Sequence, residues 1–526
     1  DGRVRGPLLE RFFGAELMKA FREVKALFDP HGLLNPGNIV APGPVESITA
    51  NLRVDAEAST SPVRRRAGGH GHGPDPSLAL GAGIETYFDY ADFEGFGHAV
   101  EQCNGAGVCR KRDGVMCPSY QGMLDERHST RGRGNALRLA ITGQFENMTG
   151  PGAPNWNDAE TIRTLDLCLS CKACKSECPS NVDIARLKAE YTAQRYRRTG
   201  RIPLAAMATG YVRVLNRVGS VMPGVANAVA SSGPARAIIN RVMGMHPRRT
   251  LPRFCRSLYA IEGGERKAEG GGSGSSGPRV VVFGDCFTTY NESHIGVAAI
   301  RVLRALGYGV TVSGSHCCGR SMISVGMLEQ AIAAIDRAVE ALRPAIEDDG
   351  VRAIVVCEPS CLSAMRDDWL GLKCRSPLDL RKRLAAKAML PEDFVERHWQ
   401  THPTSPAHLF TSSPAQEPVL FHAHCHQKSL FGADSSVRLL RRLVGERLKV
   451  LDTGCCGMAG SFGFGRDRYD LSMRIGELSL LPMVREASEG AIIVATGTSC
   501  RHQIHDGVRG RRAMHPIELA AGLLAT

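Results

Sequence analysis

Residues Cys168–Pro179 read CLSCKACKSECP and space four cysteines as C-x2-C-x2-C-x3-C-P. Thiolates at this spacing hold cubane iron–sulfur clusters. A short loop opening into a helix turns the first three sulfurs to one side, and Pro179 directs the chain away. A zinc knuckle also uses C-x2-C pairs, but it needs a second pair farther along rather than a third cysteine two residues on. Iron–sulfur ligation is therefore the chemistry expected of Cys168, Cys171, Cys174 and Cys178.

Upstream, CNGAGVCRKRDGVMCPSY places Cys103, Cys109 and Cys117 in an incomplete copy of the same run, with Ala106 where a middle cysteine belongs. Together the two runs resemble a two-motif bacterial ferredoxin domain. In such domains the fourth cysteine of each run serves the other cluster. That rule gives Cys168, Cys171, Cys174 and Cys117 one full set, and leaves Cys103, Cys109 and Cys178 one ligand short. A single cluster on Cys168, Cys171, Cys174 and Cys178 is the competing assignment. Between the runs, Ser129 or Thr130 is placed to cap a helix, and Arg131, Arg133 and Arg138 either offset the charge of thiolate-bound iron or form a solvated basic helix.

A chain of 526 residues exceeds what one core can organise, so several domains are expected. Its composition is that of a globular protein, 43% hydrophobic and 22% charged. No apolar run approaches the length that spans a bilayer, so the reading is cytoplasmic, with peripheral attachment at the inner face of the membrane left open. The net charge of +12 is scattered and lacks interleaved aromatics, which argues against a nucleic-acid partner. The 18 cysteines fall in C-x2-C and Cys-Cys-Gly groups, a pattern of metal ligation rather than disulfides.

Taken in order, residues 1–46 form a helix that ends in FDPHGLLNPGNIV, and 47–84 form a linker or exposed loop in which His70 and His72 are read as solvated. Residues 85–200 form the ferredoxin-type domain, closed by a helix that Gly200 stops. A helical connector follows over 201–262, with apolar spacing through Met207, Tyr211, Val214, Leu215 and Val218. It is expected to pack on the ferredoxin core rather than face a membrane. The Gly/Ser-rich stretch 263–278 is the clearest linker.

Beyond it the sequence repeats itself in two lobes, 279–400 and 417–526. Each opens with an apolar strand, VVVFGDC or VLFHAHC, runs through a second strand to Cys-Cys-Gly, and closes with a third, AIVVCEPSC or AIIVATGTSC. Strands alternating with helices predict two mainly parallel α/β lobes. Cysteines at the carboxyl ends of parallel strands converge where such folds bind ligands. The first set is Cys286, Cys317, Cys318, Cys357 and Cys361. The second is Cys425, Cys455, Cys456 and Cys500, with Gly497 standing where a further cysteine would be expected. His316, His422, His424 and His426 flank the sets, and of these His424 and His426 are the candidate functional residues. Cys255 and Cys374 lie outside every motif and read as structural.

Two further resemblances give these parts a context. The first 46 residues, ending in F-D-P-x-G-L-L-N-P-G-N, are similar to the closing segment of FAD-linked oxidases of the vanillyl-alcohol oxidase type, which implies that Asn35, Pro36 and Gly37 face the flavin. The lobes resemble the cysteine-rich domains of heterodisulfide reductase subunits and glycolate oxidase iron–sulfur subunits, which implies a further iron–sulfur cluster in them. The whole resembles the C-terminal half of a fused FAD-dependent D-2-hydroxyacid dehydrogenase acting on lactate, 2-hydroxyglutarate or glycolate. On that resemblance a 4Fe–4S cluster carries electrons from flavin to a quinone, a cytochrome or an electron-transfer protein. The flavin is expected to be held mainly by sequence upstream of residue 1, so that this stretch alone does not bind FAD stably, and no general base is assigned. A stand-alone subunit docking a separate flavoprotein, and a heterodisulfide-reductase-like thiol–disulfide reductase, are the alternatives.

Overall fold

β-Branched runs set the two sheets. In Arg279–Val282 (β1) three consecutive valines are buried, so both faces of the strand must be covered, which is the environment of a parallel sheet with helices on each side. β1 pairs in parallel with Gly309–Val312 (β2) and Val351–Val355 (β3), and β3 pairs with Ala388–Met389 (β4), giving the order β2-β1-β3-β4. The second half repeats this with Val419–His422 (β5), Leu448–Val450 (β6), Ile492–Ala495 (β7) and Ala513–Met514 (β8), in the order β6-β5-β7-β8. The computed structural model describes residues 6–44, 84–143, 154–263, 277–314, 316–411 and 416–525. His70, His72 and most of both linkers lie outside the described residues.

The lobes pack on each other reciprocally. The first lobe's Ser293–Ala305 helix lies against the second lobe's Pro516–Gly522 helix, and Pro391–Arg397 of the first lies against Asp434–Val444 of the second. A single core runs between them, through Val280, Ile300, Phe394, Phe421, Leu439 and Ile517. A second core joins the ferredoxin-type helices to the first lobe, with Val100, Leu137 and Cys171 in the same cluster as Phe283, Ile335 and Trp369.

Local signals explain the ferredoxin-type segment. Ser129 caps Thr130–Ile141 by accepting the amide of Gly132. Asp183 caps Ile184–Thr199, which Gly200 ends in the left-handed conformation at φ 65°. The connector departs from expectation. Its helices Leu204–Gly210 and Val212–Gly219 pack on the first lobe rather than on the ferredoxin core, through the Arg320–Ser324 and Cys286–Tyr290 helices, while Pro223–Ser231 and Gly233–Met243 pack on each other and on those two connector helices. Its end crosses to the second lobe, where the His246 ring stacks on Tyr469 and Arg249 donates to Gly463 O and Ser472 Oγ. The side chains turned inward are Arg213, Asn216, Ser220 and Asn240, whereas Val214, Leu215 and Val218 stand exposed. Periodicity reveals an amphipathic helix but not which face the protein takes.

Candidate iron–sulfur sites

Each lobe gathers four sulfurs at the carboxyl ends of its strands. In the first, Cys286 begins the helix after β1, Cys317 and Cys318 follow β2, and Cys361 lies in Pro359–Ser363 after β3. Cys317 accepts a hydrogen bond from Cys286, and Cys318 lies against Cys317 while donating its one S–H to Cys361 at 3.1 Å. In the second lobe the sulfurs run Cys425, Cys455, Cys456, Cys500, each a free thiol within hydrogen-bonding reach of the next. The thiols differ in ease of ionisation: hydrogen bonding by Cys286 brings Cys317 down to about 3, and Cys455 draws Cys425 and Cys456 well below the ordinary thiol range.

The glycine of each Cys-Cys-Gly is required by its backbone. Gly319 and Gly457 sit at φ 75° and 87° and donate their amides to the sulfurs of Cys317 and Cys455, at 3.4 Å each. A Cβ on Gly457 would also stand 2.2 Å from the Ser472 carbonyl.

Cys357 is not brought to the set. Strand register explains this: Val355 pairs with Val282 and Val494 pairs with Phe421, so Val355 and Val494 correspond in the two lobes. Counting on from them, Cys361 matches Cys500, Cys357 matches Thr496, and Gly497 matches Glu358 rather than a cysteine. Cys357 is buried in the core between the lobes, and its carbonyl accepts from His515 Nε2 at 3.1 Å.

The ferredoxin-type cysteines lie against the second lobe. The short Ala173–Glu177 helix packs on Cys425–Leu430, Ser429 Oγ donates to Cys171 O at 3.4 Å, and after burial the Cys425 charge is what most raises the Cys171 thiol. Cys117 lies with Cys168, Cys171 and Cys174, since Cys171 and Cys174 both feel its charge and that of Cys168. Burial pushes Cys117 up to about 11, while Arg133 opposes this and the Thr130 amide donates to its sulfur at 3.1 Å. Cys103 and Cys109 lie beside the Arg131 guanidinium. Cys178 caps the far end of the Ala173–Glu177 helix, its amide on Cys174 O.

Several charged residues at this junction were not anticipated. Lys172, buried inside the motif itself, pairs with Asp367 at 2.6 Å and Asp368 at 2.7 Å on a π-helical turn, Ala364–Asp368, and Lys175 also pairs with Asp367. Ser170 O accepts from Arg320 Nη2, and His426 Nε2 lies 3.1 Å from it. His426 Nδ1 meets Ser363 Oγ at 2.5 Å, so this one ring ties the motif to both lobes. Burial, with Arg320 close by, holds His426 well below its ordinary value and therefore neutral. His424 caps its helix and lies 4.0 Å from Cys425 Sγ; burial opposes its charge, but the Cys425 thiolate prevails and lifts it to about 9. Burial takes His422 down to about 3, with Nδ1 on Thr453 Oγ1 at 2.6 Å. Between the lobes, Glu358 Oε2 accepts the Thr498 amide at 2.9 Å, and Arg501 donates to both oxygens of Glu292 at 3.0 and 2.7 Å. Lys172 and Lys175 had a signal in the sequence, as basic residues inside a ligand motif, and His424 and His426 as histidines beside Cys425; Asp367, Asp368, Arg320, Glu358, Glu292 and Arg501 come from distant segments.

At the amino end, Ala15–Phe28 is followed by turns in which Asn35 and Gly37 take φ 50° and 72°. The Asp29 carboxylate accepts the amides of Leu33 and Leu34, and Asn38 Nδ2 donates to Asn35 Oδ1. The geometry tests the implied groups by donor chemistry. All-sulfur sets with amide donors and buried cations nearby suit iron–sulfur clusters. Among the described residues, no group of three or more His, Cys, Asp or Glu is arranged around a single metal ion.

Three family models match: FAD linked oxidases, C-terminal domain, over residues 1–39; 4Fe-4S dicluster domain over 99–182; and the cysteine-rich domain over 280–366 and again over 419–505. The chain carries the domains of an FAD-linked, iron–sulfur oxidoreductase. Such an oxidoreductase uses a 4Fe–4S cluster and FAD as cofactors. The chain is 24% identical to D-2-hydroxyglutarate dehydrogenase of Pseudomonas putida over 98% of its own length and 50% of that protein's. It is 27% identical to one of the subunits of the anaerobic glycerol-3-phosphate dehydrogenase of Escherichia coli, over 66% of this chain and 83% of the relative. The Escherichia coli glycolate oxidase iron–sulfur subunit is 24% identical over 80% of this chain and 93% of its own. The chain thus spans about half the length of the D-2-hydroxyglutarate dehydrogenases it matches.

Proposed function

We propose that this chain is the iron–sulfur electron-transfer portion of an FAD-dependent dehydrogenase that oxidises a D-2-hydroxyacid of the lactate, 2-hydroxyglutarate or glycolate type. What carries the reading is the contact between the Cys168–Cys178 motif and the second lobe, where Cys171 adjoins Cys425 across two packed helices. A ferredoxin-type site alone has no need of such a partner; a relay does. In this reading Cys168, Cys171, Cys174 and Cys117 hold one 4Fe–4S cluster, and Cys103, Cys109 and Cys178 belong to a second. Cys286, Cys317, Cys318 and Cys361 form one ligand set in the lobes, and Cys425, Cys455, Cys456 and Cys500 form the other. Asn35, Pro36 and Gly37 face the flavin.

Bound clusters supply single-electron steps between reduced flavin and an acceptor, a quinone, a cytochrome or an electron-transfer protein. The chain's own residues set the surroundings. Arg133 brings positive charge to Cys117, Lys172 ties the motif to Asp367 and Asp368 of the first lobe, amides of Gly319 and Gly457 solvate the lobe thiolates, and neutral His426 fixes the loop at Ser170. No described helix is long and apolar enough to cross a membrane, and the location proposed is peripheral, at the inner face of the membrane. In the full product of the gene, Cys171→Ser is expected to abolish turnover with the acceptor while substrate still reduces the flavin. Loss of flavin reduction in a folded variant would overturn the relay.

A further inference from the structure

The connector between the ferredoxin-type segment and the lobes is built inside out. Along Val212–Gly219 the buried positions are Arg213, Asn216 and Gly219, and the exposed ones are Val214, Leu215 and Val218. The polar side chains serve the protein: Arg213 donates to the Gly284 carbonyl and lies over the Tyr290 ring, and Ser220 Oγ donates to Tyr290 O. Pro223–Ser231 buries nothing, and Gly233–Met243 buries only Asn240 while Ile238 and Val242 face outward. Eleven large apolar side chains are exposed between Leu204 and Val242, with Val218 at 68% and Val221 at 77%, against four in the whole of the two lobes, residues 279–525. Contiguous exposure of this kind marks a surface made to be covered.

Charge identifies the cover. Residues 201–261 contain nine arginines and no lysine, aspartate or glutamate. Arg213 and Arg249 are buried, but Arg201, Arg217 and Arg241, in and beside these helices, and Arg248 and Arg253 after them are exposed. Short amphipathic helices with aliphatic residues on one face and arginines at its rim lie in the plane of a bilayer, the apolar side chains entering the acyl boundary while guanidinium groups stay with anionic headgroups. A protein partner would be expected to find aromatic anchors here, yet Tyr211 is the only exposed aromatic residue on the described part of this face.

We propose that the face formed by the helices from Leu204 to Met243 is the chain's lipid-contact surface and binds anionic bilayers. The proposal rests on the peripheral location given above and assigns it to named residues. The test is co-sedimentation of the reconstituted 526-residue chain with phosphatidylglycerol–phosphatidylcholine vesicles and with pure phosphatidylcholine vesicles. Binding is expected to the first, weakened by salt, and much weaker to the second. Val218→Asp/Val221→Asp should reduce it by about tenfold or more, and Arg217→Glu/Arg241→Glu, which leaves the apolar face intact, by about tenfold at low salt. Visible absorbance of the clusters and the melting temperature should stay as in the parent, since all four positions are exposed. If the parent binds vesicles and the variants bind equally well, this surface is wrong while the peripheral location stands. If the parent binds neither vesicle, both fail. A parent that is dimeric, with a monomeric Val218→Asp/Val221→Asp variant and unchanged vesicle binding, would assign the face to a second copy and overturn the proposal.

Discussion

The two lobes have the same strand order, and each strings four sulfurs together at the same strand ends, yet corresponding positions around those sulfurs carry opposite chemistry. Phe283, Asp285 and Phe287 of the first lobe correspond to His422, His424 and His426 of the second, and Glu358 corresponds to Gly497. Asp285, which burial pushes up to about 6, caps the helix that His424 caps in the other lobe. The duplicated scaffold therefore keeps a sulfur cage while its setting is free to change. The histidines of the second lobe equip it to meet the ferredoxin-type motif: His426 reaches Ser170, and Cys425 adjoins Cys171. The first lobe meets the same motif with carboxylates, Asp367 and Asp368 on Lys172.

The strongest test of how far the lobes depend on each other is Arg501→Met. Arg501 comes from the second lobe and Glu292 from the first; the largely enclosed Glu292 carboxylate, its side chain 20% exposed, is held down to about 2 by that guanidinium against the cost of leaving water. Removing the cation leaves an uncompensated buried charge, which costs about 3–5 kcal/mol. Denaturant unfolding should show this loss, and adding Glu292→Gln should recover part of it. An unchanged midpoint would mean that the lobes are held by their apolar core alone.

Next in size is a pH effect confined to one lobe. Val355 and Val494 correspond, as do Met389 and Met514, so buried Glu392 stands where the second lobe has buried Ile517. Burial raises Glu392 from 4.5 to about 7, with one oxygen on Ser436 Oγ and the other unpaired among the described residues. For an acid raised on folding, the unfolded chain ionises first. Stability is full below pH 4.5, falls as pH rises towards 7, and levels off above that. Glu392→Gln should therefore gain roughly 3 kcal/mol at pH 8 relative to its effect at pH 4, read from melting curves at both. Equal effects at the two pH values would mean that the carboxyl is solvated.

A smaller effect is expected at the junction with the ferredoxin-type motif. His426→Ala removes the contacts to Ser363, Ser170 and Arg320 and should cost about 1–3 kcal/mol, concentrated locally. Hydrogen exchange should speed up around 168–178 while β1 and β5 stay protected. Uniform acceleration would show the ring to be part of the global core instead.

These contrasts mark what could be read from the chain by itself. The sulfur cages were legible because Cys-Cys-Gly and C-x2-C are local: the glycine answers to its own φ, and the spacing to one turn of backbone. The duplicated strands were legible because apolar β-branched runs of four residues suit a sheet covered on both faces. Partners across the fold were not. Lys172 and Asp367 are 195 residues apart, and nothing near either announces the other. The connector shows the limit of periodicity, since Val214, Leu215 and Val218 share a face whether that face is buried or, as here, exposed. The closing cysteine was ambiguous for a related reason: Cys357 and Cys361 both follow β3, and only register against β1 distinguishes them.

That ambiguity yields the smallest effect and a sharp comparison within one lobe. Cys361 receives a hydrogen bond from Cys318 at 3.1 Å, whereas Cys357 is directed into the core between the lobes and is 2% exposed. Burial raises its thiol well above the ordinary range, and the next largest influences are the carboxylates Asp285 and Glu392, which also disfavour a thiolate. Burial leaves Cys361 raised as well, at about 11 despite its hydrogen bond from Cys318, so what separates the two is position: Cys361 lies against the other sulfurs of the set and Cys357 does not. In the reconstituted chain, Cys361→Ser should lower iron and sulfide content by the first lobe's share and change its EPR signal. Cys357→Ser should leave both intact, with a stability change of about 1 kcal/mol from placing a hydroxyl in an apolar site. The corresponding position in the second lobe is Thr496, whose hydroxyl accepts the His424 amide and donates to Gln427, so a hydroxyl is already accommodated there. If Cys357→Ser loses iron as Cys361→Ser does, the first lobe uses a fifth sulfur that the second lacks, and the two cages differ in ligands as well as in surroundings.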